Sequence, residues 1–545
     1  MKSVATLLIQ HLRQFGVSHV FGIPGKAISP LVLEAERQGM KYVLCRHEGG
    51  AGFAAAGFAY GRGPLGVAFG TSGPGGTNLL TAAGQAKAYN LPVLFITGHP
   101  SMKNTGKALG QDSSLFGTDL VKMFEPVTLW SACIERSDLF QTYFQHALEK
   151  ALGAIKGPVH LGISYDILLE EIPEFELSLP GRLPEVSPTI DQIVSLVEDA
   201  HSPVILLGKG VHLAKAYEEV MKLAEKRRIP VMTTPGGKGS FPTNHPLSLG
   251  GFGLAASPEA YEYLRNGSDL LIVLGTKLSD MSLAGVTPQL YPERIIQFDC
   301  DPTFVGKSLP IPTIGVIGDL KRNLQELLEK VSNIEPDADF IPQKMSVAAT
   351  NETITPPGLI SAAETMRVLR KGLPEDVMVI SDDGSHSFYA IKHFEIFQSG
   401  TFLFDDVFGA MGHAIGLAIG YKLAQPDRKV ACFTGDGCFM MHGAEVSTAV
   451  CNQLSIIYVV LNNGRLDMVE KGMKTAFSLE KAVGVVYETP MDAAGFGRSL
   501  GAAAYRCRTE AEIASALDFA LTNNGPTVIE VLVDPAEIPP TLNRG

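Results

Sequence analysis

The triplet Gly435-Asp436-Gly437 is followed after 24 residues by Asn462-Asn463, and the two places together could hold a cation on a phosphate. Val430 to Phe433 reads as a buried strand, which puts the triplet at a strand's carboxyl end. Glycines there let backbone N–H groups approach a phosphate, and the helix that follows would turn its positive end toward it. A second strand-like run, Ile456 to Leu461, ends in Asn462-Asn463 and can deliver a neutral oxygen beside Asp436. One carboxylate and one amide oxygen, completed by phosphate oxygens, make a hard-ligand set for Mg²⁺. Two unrelated strand-end turns would read the same way, because Asp, Asn and Gly are the ordinary turn residues.

A second acid stands in a suggestive place. Glu48, in Arg46-His47-Glu48-Gly49, lies between two Gly-rich stretches, Phe21-Gly22-Ile23-Pro24-Gly25 and Thr71-Ser72-Gly73-Pro74-Gly75-Gly76-Thr77-Asn78. A carboxylate in a dry pocket can exchange protons near neutrality because burial moves its pKa. Taken alone, a Glu after a His is an ordinary solvated helix residue. His442, five residues past Gly437, is a candidate for proton transfer, with a structural histidine as the plainer alternative.

These residues need elements to hold them, and three α/β segments can be separated. The first runs from residue 1 to about 178, with strand-like runs at Val17–Phe21, Gly66–Phe69 and Pro92–Thr97 between Ala/Gly-rich helical stretches. Pro173, Pro180, Pro184 and Pro188 mark a linker. The second segment, 190–331, carries runs at Pro203–Leu207, Asp269–Leu274 and Ile295–Asp299. Asn333 to Pro357 has no apolar periodicity and reads as a second linker. The third, 359–545, carries Val377–Ile380, Lys429–Phe433, Ile456–Leu461 and Thr527–Val531. The alternation predicts three doubly wound parallel sheets, with ligands at strand carboxyl ends.

Composition limits the function. The 545 residues are 45% hydrophobic and 19% charged, a globular balance. A net charge of -12 argues against a nucleic-acid footprint but leaves small anionic substrates open. Seven scattered cysteines form no CxxC pair, so neither a disulfide framework nor a zinc site is expected, and buried free thiols are. The N-terminus runs into a helix-like pattern rather than a signal peptide, and no apolar run reaches the roughly 18 residues of a membrane span. A cytoplasmic enzyme is the expectation.

In order and spacing these motifs resemble those of thiamine-diphosphate-dependent enzymes, and among them the large (catalytic) subunit of acetolactate synthase is the best fit. The resemblance covers essentially the whole chain. It implies that Asp436 and Asn463 bind Mg²⁺ with the main-chain carbonyl near Arg465. It makes Asp382-Asp383-Gly384-Ser385-His386 a second diphosphate-contacting turn, joined by Gly435, Gly437 and Cys438. Phe408-Gly409-Ala410-Met411-Gly412 would hold the aminopyrimidine, Met411 forcing the bent cofactor shape, although taken alone a Met there reads more readily as core. Pro24, Gly25, Pro74 and Asn78 would form the partner half, where Glu48 meets the ring nitrogen N1′. Leu466-Asp467-Met468-Val469 resembles the synthase run past the metal ligands, and adds Met468 to the cofactor contacts.

The middle segment matches through Gly208-Lys209-Gly210, Gly275-Thr276-Lys277-Leu278-Ser279-Asp280 and Phe298-Asp299-Cys300-Asp301-Pro302. Many members hold FAD in this domain. Here that pattern is incomplete, and FAD and an empty Rossmann-like domain stand as equal expectations. Substrate positions are less faithful: Gln111 is kept as a catalytic candidate, flanked by Gly110 and Asp112, while Leu129 replaces a common Lys and Gly472 stands near an absent Trp. The implied reaction is decarboxylation of a 2-oxo acid, pyruvate first, with ligation to a second one. A non-ligating decarboxylase and a flavin-using pyruvate oxidase are the alternatives. A homodimer or homotetramer with sites between subunits is implied, and a regulatory subunit is left open.

Overall fold

In the computed structural model, residues 1–179, 185–333 and 355–540 are described. Pro180 and Pro184 of the first linker, most of the Asn333–Pro357 linker and residues 541–545 of the third segment lie outside them. The described chain builds three six-stranded sheets, all parallel, with helices on both faces. The doubly wound expectation holds.

The first sheet contains β1 (His19–Gly22), β2 (Lys41–Leu44), β3 (Gly66–Gly70), β4 (Val93–His99), β5 (Trp130–Ile134) and β6 (Val159–Ser164). Its strands run in the order β2-β1-β3-β4-β6-β5. The middle sheet contains β7 (Pro203–Leu207), β8 (Val231–Thr233), β9 (Ser248–Gly251), β10 (Leu270–Leu274), β11 (Arg294–Asp299) and β12 (Thr313–Ile317), ordered β9-β8-β7-β10-β11-β12. The third contains β13 (Met378–Ser381), β14 (Phe402–Phe404), β15 (Val430–Gly435), β16 (Ile456–Asn462), β17 (Ala503–Cys507) and β18 (Thr527–Leu532). Its order, β14-β13-β15-β16-β18-β17, repeats that of the first.

Each order reverses direction at one central pair of strands, with a further reversal at the β6-β5 and β18-β17 edges of the first and third sheets. A crevice opens at the carboxyl ends of each central pair. Those pairs are β1/β3, β7/β10 and β13/β15. The candidate residues fall there because the chain turns there. Gly22 ends β1, Gly70 ends β3, Ser381 ends β13 and Gly435 ends β15.

Six helices matter for the site: α1 (Glu48–Arg62), α2 (Leu80–Ala88), α3 (Lys209–Ala214), α4 (Ser385–His393), α5 (His413–Ala424) and α6 (Asp436–His442). α1 and α5 pack backbone against backbone. A Cβ on Gly57 would collide with the Leu417 carbonyl, and one on Gly420 with the Ala54 carbonyl. The small residues of Gly49–Gly57 thus let the first and third domains share one apolar core, in which Phe53, Phe58, Leu417 and Ile419 are buried. Among the described residues no helix is long and apolar enough to cross a membrane. None of the seven cysteines is in a disulfide. Cys45, Cys432, Cys438 and Cys507 are buried, but Cys300 and Cys451 stand exposed, so burial of the thiols holds only in part.

Candidate active site

A cavity of about 400 Å³ opens at the β13/β15 reversal. Its wall takes Gly384, Ser385 and His386 from the start of α4, and Gly435, Asp436, Gly437 and Cys438 from the start of α6. Gly409 and Met411 come from the segment before α5, and Asn463, Arg465 and Met468 from the end of β16 and beyond. Two helix N-termini therefore face one space, the arrangement that favours an anion. Parallel pairing sets the reach: Gly435 of β15 lies opposite Leu461 of β16, so Asp436 and Asn463 leave adjacent strands at the same level.

Asp436 is 3% exposed and accepts the Gly437 N–H at 2.9 Å and the Gly464 N–H at 2.8 Å. Burial nevertheless pushes its carboxyl up to about 6. Beside it the Asn463 Oδ1 is buried without a hydrogen-bond partner. An unsatisfied amide oxygen next to a desolvated carboxylate is a polar deficit that a hard cation would cancel. Asn462, by contrast, donates from Nδ2 to Glu530 and to the Met491 carbonyl. The Arg465 guanidinium is held by Glu470 at 2.8 Å, which leaves the main chain of Arg465 as its possible contribution. These residues fit Mg²⁺ on a diphosphate.

Asp382 and His413 support the wall from behind. Asp382 accepts the Gly412 N–H at 2.8 Å and the Thr434 hydroxyl at 2.9 Å. The His413 Nδ1 lies 3.2 Å from Asp382, 3.3 Å from Asp383 and 2.8 Å from the Ala410 carbonyl. Burial alone would lower the His413 pKa, but hydrogen bonds to the two carboxylates hold it well above the ordinary histidine value. Among the described residues Asp382, Asp383 and His413 are the one His/Cys/Asp/Glu group close enough to hold a metal ion. A protonated imidazole donating to its neighbours does that job instead. Burial pushes Asp383 up to about 6, lowers His386 to about 4 and keeps the Cys438 thiol neutral, its Sγ donating to the Asp383 carbonyl. Met411 reaches over Gly437, its Cε 3.2 Å from where a Cβ there would stand.

The other predicted residues gather at the β1/β3 reversal. Glu48 opens α1, is 7% exposed, and accepts from the Asn78 Nδ2 at 2.9 Å. Gly25 closes on Thr71, whose hydroxyl a Cβ would strike. Gln111, in a left-handed conformation (φ 55°), lies over the Gly73-Pro74 turn. Pro24, Gly25, Glu48, Pro74, Asn78 and Gln111 are brought together, but none is on the wall of the cavity. His442 stands between the groups. Its ring is 5.8 Å from His47, 5.4 Å from Phe53 and against Gly412, and its buried Nδ1 has no partner. Burial, then His47, lowers its pKa.

The middle sheet answers differently. At the β7/β10 reversal the Gly208 N–H donates to the Leu274 carbonyl and the Gly210 N–H to the Gly275 carbonyl, both at 2.9 Å. Lys209 turns away to donate to the Ala88 carbonyl at 2.7 Å. Two backbone donors of this turn are engaged within the chain and are not presented to a dinucleotide pyrophosphate, so the turn gives FAD no support. Reading the sequence named Lys209 only within the Gly208-Lys209-Gly210 turn, and missed Asp405, Asp406 and His413. The signal for these three was the paired acids Asp382-Asp383 and Asp405-Asp406, with His413 close behind in the sequence.

Three family models match the chain. "Thiamine pyrophosphate enzyme, N-terminal TPP binding domain" matches residues 2–121, the central domain 190–327 and the C-terminal TPP binding domain 382–531. A probable acetolactate synthase large subunit of Methanocaldococcus jannaschii is 31% identical over 99% of this chain and 93% of its own. The acetolactate synthase large subunit of Corynebacterium glutamicum is 30% identical over 99% of this chain and 88% of its own. An X-ray structure from Mycobacterium smegmatis, described as "a putative thiamin diphosphate-dependent enzyme", superposes with a TM-score of 0.84 over 98% of this chain and 99% of that one. At 23% identity that likeness speaks for the fold. With three matched domains in their order and relatives aligned end to end, the chain belongs to the thiamine pyrophosphate enzyme family, as an acetolactate synthase-like member.

Proposed function

We propose that the chain decarboxylates a 2-oxo acid, pyruvate first, and ligates the acyl group to a second 2-oxo acid, using thiamine diphosphate and Mg²⁺. The observation that carries this reading is the unsatisfied Asn463 oxygen beside Asp436, in a cavity faced by two helix N-termini. Asp436, Asn463 and the Arg465 carbonyl would hold the metal. Gly384, Ser385, His386, Gly435, Gly437 and Cys438 would hold the diphosphate, with Gly409, Met411 and Met468 against the rings. The units are taken as 1–178, 190–331 and 359–545.

When bound, thiamine diphosphate supplies a nucleophilic carbon and a sink for the electrons released with CO₂. The chain supplies proton handling and a dry space. Asn78 fixes Glu48 Oε2 and leaves Oε1 free to hold a proton at N1′. Gln111 and His442 are the groups proposed to face substrate. Because the Glu48 group stands off the cavity wall within one chain, a second copy would contribute it, in a homodimer or homotetramer. The exposed side chains of Phe408, Met440 and Met441, all beside the site, favour such a partner.

Engagement of the Gly208-Lys209-Gly210 turn weighs against the flavin-using oxidase. Product analysis after incubation with pyruvate, thiamine diphosphate and Mg²⁺ tests the reading. 2-Acetolactate is expected. Acetaldehyde with no new C–C bond, or turnover only with an added electron acceptor, would overturn carboligation.

A further inference from the structure

We propose that Lys209 is a positioning residue for the cofactor segment: its buried ammonium balances Asp406 and so fixes residues 405–412, which carry Gly409 and Met411 to the cavity. The inference rests on the reading of that cavity as the thiamine diphosphate site.

Lys209 and Asp406 are 8% and 7% exposed, and the ammonium lies 3.9 Å from Asp406 Oδ1. It also donates to the Ala88 carbonyl at the end of α2 and sits 4.8 Å over the Tyr89 ring. One side chain of the middle domain therefore touches the first and the third at once. From the middle domain Gly236 closes on the same carboxylate, where a Cβ would collide. From the first domain the Tyr89 hydroxyl donates to the Phe404 carbonyl, and Gly84 receives the Phe408 ring. Asp405 accepts the N–H groups of Val407 and Phe408 at 3.0 and 3.1 Å, which shapes the turn. At the far end the Gly412 N–H is held by Asp382.

The segment is thus pinned at both ends, and the near end depends on charge. Asp406 Oδ1 is buried without a hydrogen-bond partner. Its compensation is the field of Lys209. A buried carboxylate stripped of its cation must take a proton or move toward water. Either event shifts the turn three residues before Gly409.

Calorimetry of thiamine diphosphate binding, with Mg²⁺, to the full chain tests this with Lys209→Met, Lys209→Arg and the neutral pair Lys209→Met/Asp406→Asn. Lys209→Met should weaken binding by about tenfold or more at neutral pH, while Lys209→Arg stays within about threefold of wild type. The neutral pair should recover most of the loss, which a purely space-filling role for Lys209 would not allow. Lys209→Met binding as tightly as wild type overturns the inference. So does a neutral pair that folds but binds as weakly as Lys209→Met. If Lys209→Met does not fold, the neutral pair decides alone: near-wild-type binding supports the assignment and weak binding overturns it. Wild-type protein that binds no thiamine diphosphate overturns the underlying reading, and this inference with it.

Discussion

The Asn78 side chain donates to Glu48 Oε2 at 2.9 Å, joining the second Gly-rich turn to the first residue of α1. The contact fixes one carboxylate oxygen and leaves the other for chemistry. Glu48→Gln keeps the size of the side chain but cannot exchange a proton. The variant should fold and bind thiamine diphosphate. Its proton exchange at the cofactor C2 should slow, and turnover should fall by about 10² or more. Deuterium exchange followed by NMR after acid quench measures this; exchange as fast as wild type would remove Glu48 from the mechanism.

Asp436→Ala leaves the diphosphate facing the site without its bridging cation, so Mg²⁺-dependent thiamine diphosphate affinity should vanish. Asn463→Ala removes one neutral oxygen and should weaken binding without abolishing it. Titration calorimetry of both variants gives the answer, and unchanged affinity in Asp436→Ala would sink the metal assignment.

Leu129 and Gly472 bear on the acceptor. Leu129 lies against Gly157, and nothing stands within 4 Å of where a Gly472 Cβ would be. Neither offers the packing that rewards one extra methyl, an effect worth about 1–3 kcal/mol. Competition between pyruvate and 2-oxobutyrate should show little preference. A strong bias toward 2-oxobutyrate would mean that another residue discriminates.

Gly420→Ala tests the joint between α1 and α5. Its methyl would meet the Ala54 carbonyl, a backbone atom that cannot swing aside. Overpacking of this kind costs about 1–3 kcal/mol. Urea unfolding should show the loss; an unchanged midpoint would mean that the helices can separate freely.

His212 provides a pH test. Burial lowers its pKa to about 4 from an unfolded value of 6.5, and its ring contacts Tyr217 and the Lys238 carbonyl. Between those values the unfolded chain binds the proton and the folded chain does not. The stability His212 contributes is therefore full above pH 6.5 and lost as pH falls toward 4. Wild type should lose stability relative to His212→Gln across that window, and urea midpoints that shift in parallel would refute it.

Much of this molecule was legible in residue order. The runs at Pro203–Leu207, Lys429–Phe433 and Ile456–Leu461 became β7, β15 and β16 within a residue or two, because continuous apolar runs bounded by turns have few other solutions. Asp436 and Asn463 could be paired from spacing, since each follows the end of a buried strand. The first, third and middle sheets also contain strands that no pattern marked. Lys41–Leu44 and Ala503–Cys507 are edges with mixed exposure, and the buried Val159–Ser164 is broken by His160 and Gly162.

Other relationships were decided by the tertiary structure alone. The nearness of Lys209 to Asp406, of Gly57 to Leu417 and of His47 to His442 spans hundreds of residues and follows no local period. Such contacts are selected by burial and charge balance between whole domains. The sequence by itself determined which residues stand at strand ends. Strand pairing within the third sheet decided that Asp436 and Asn463 share a cavity, and only the packing of the three sheets decided that Glu48 stands off its wall and that the middle domain's glycine turn serves a domain junction.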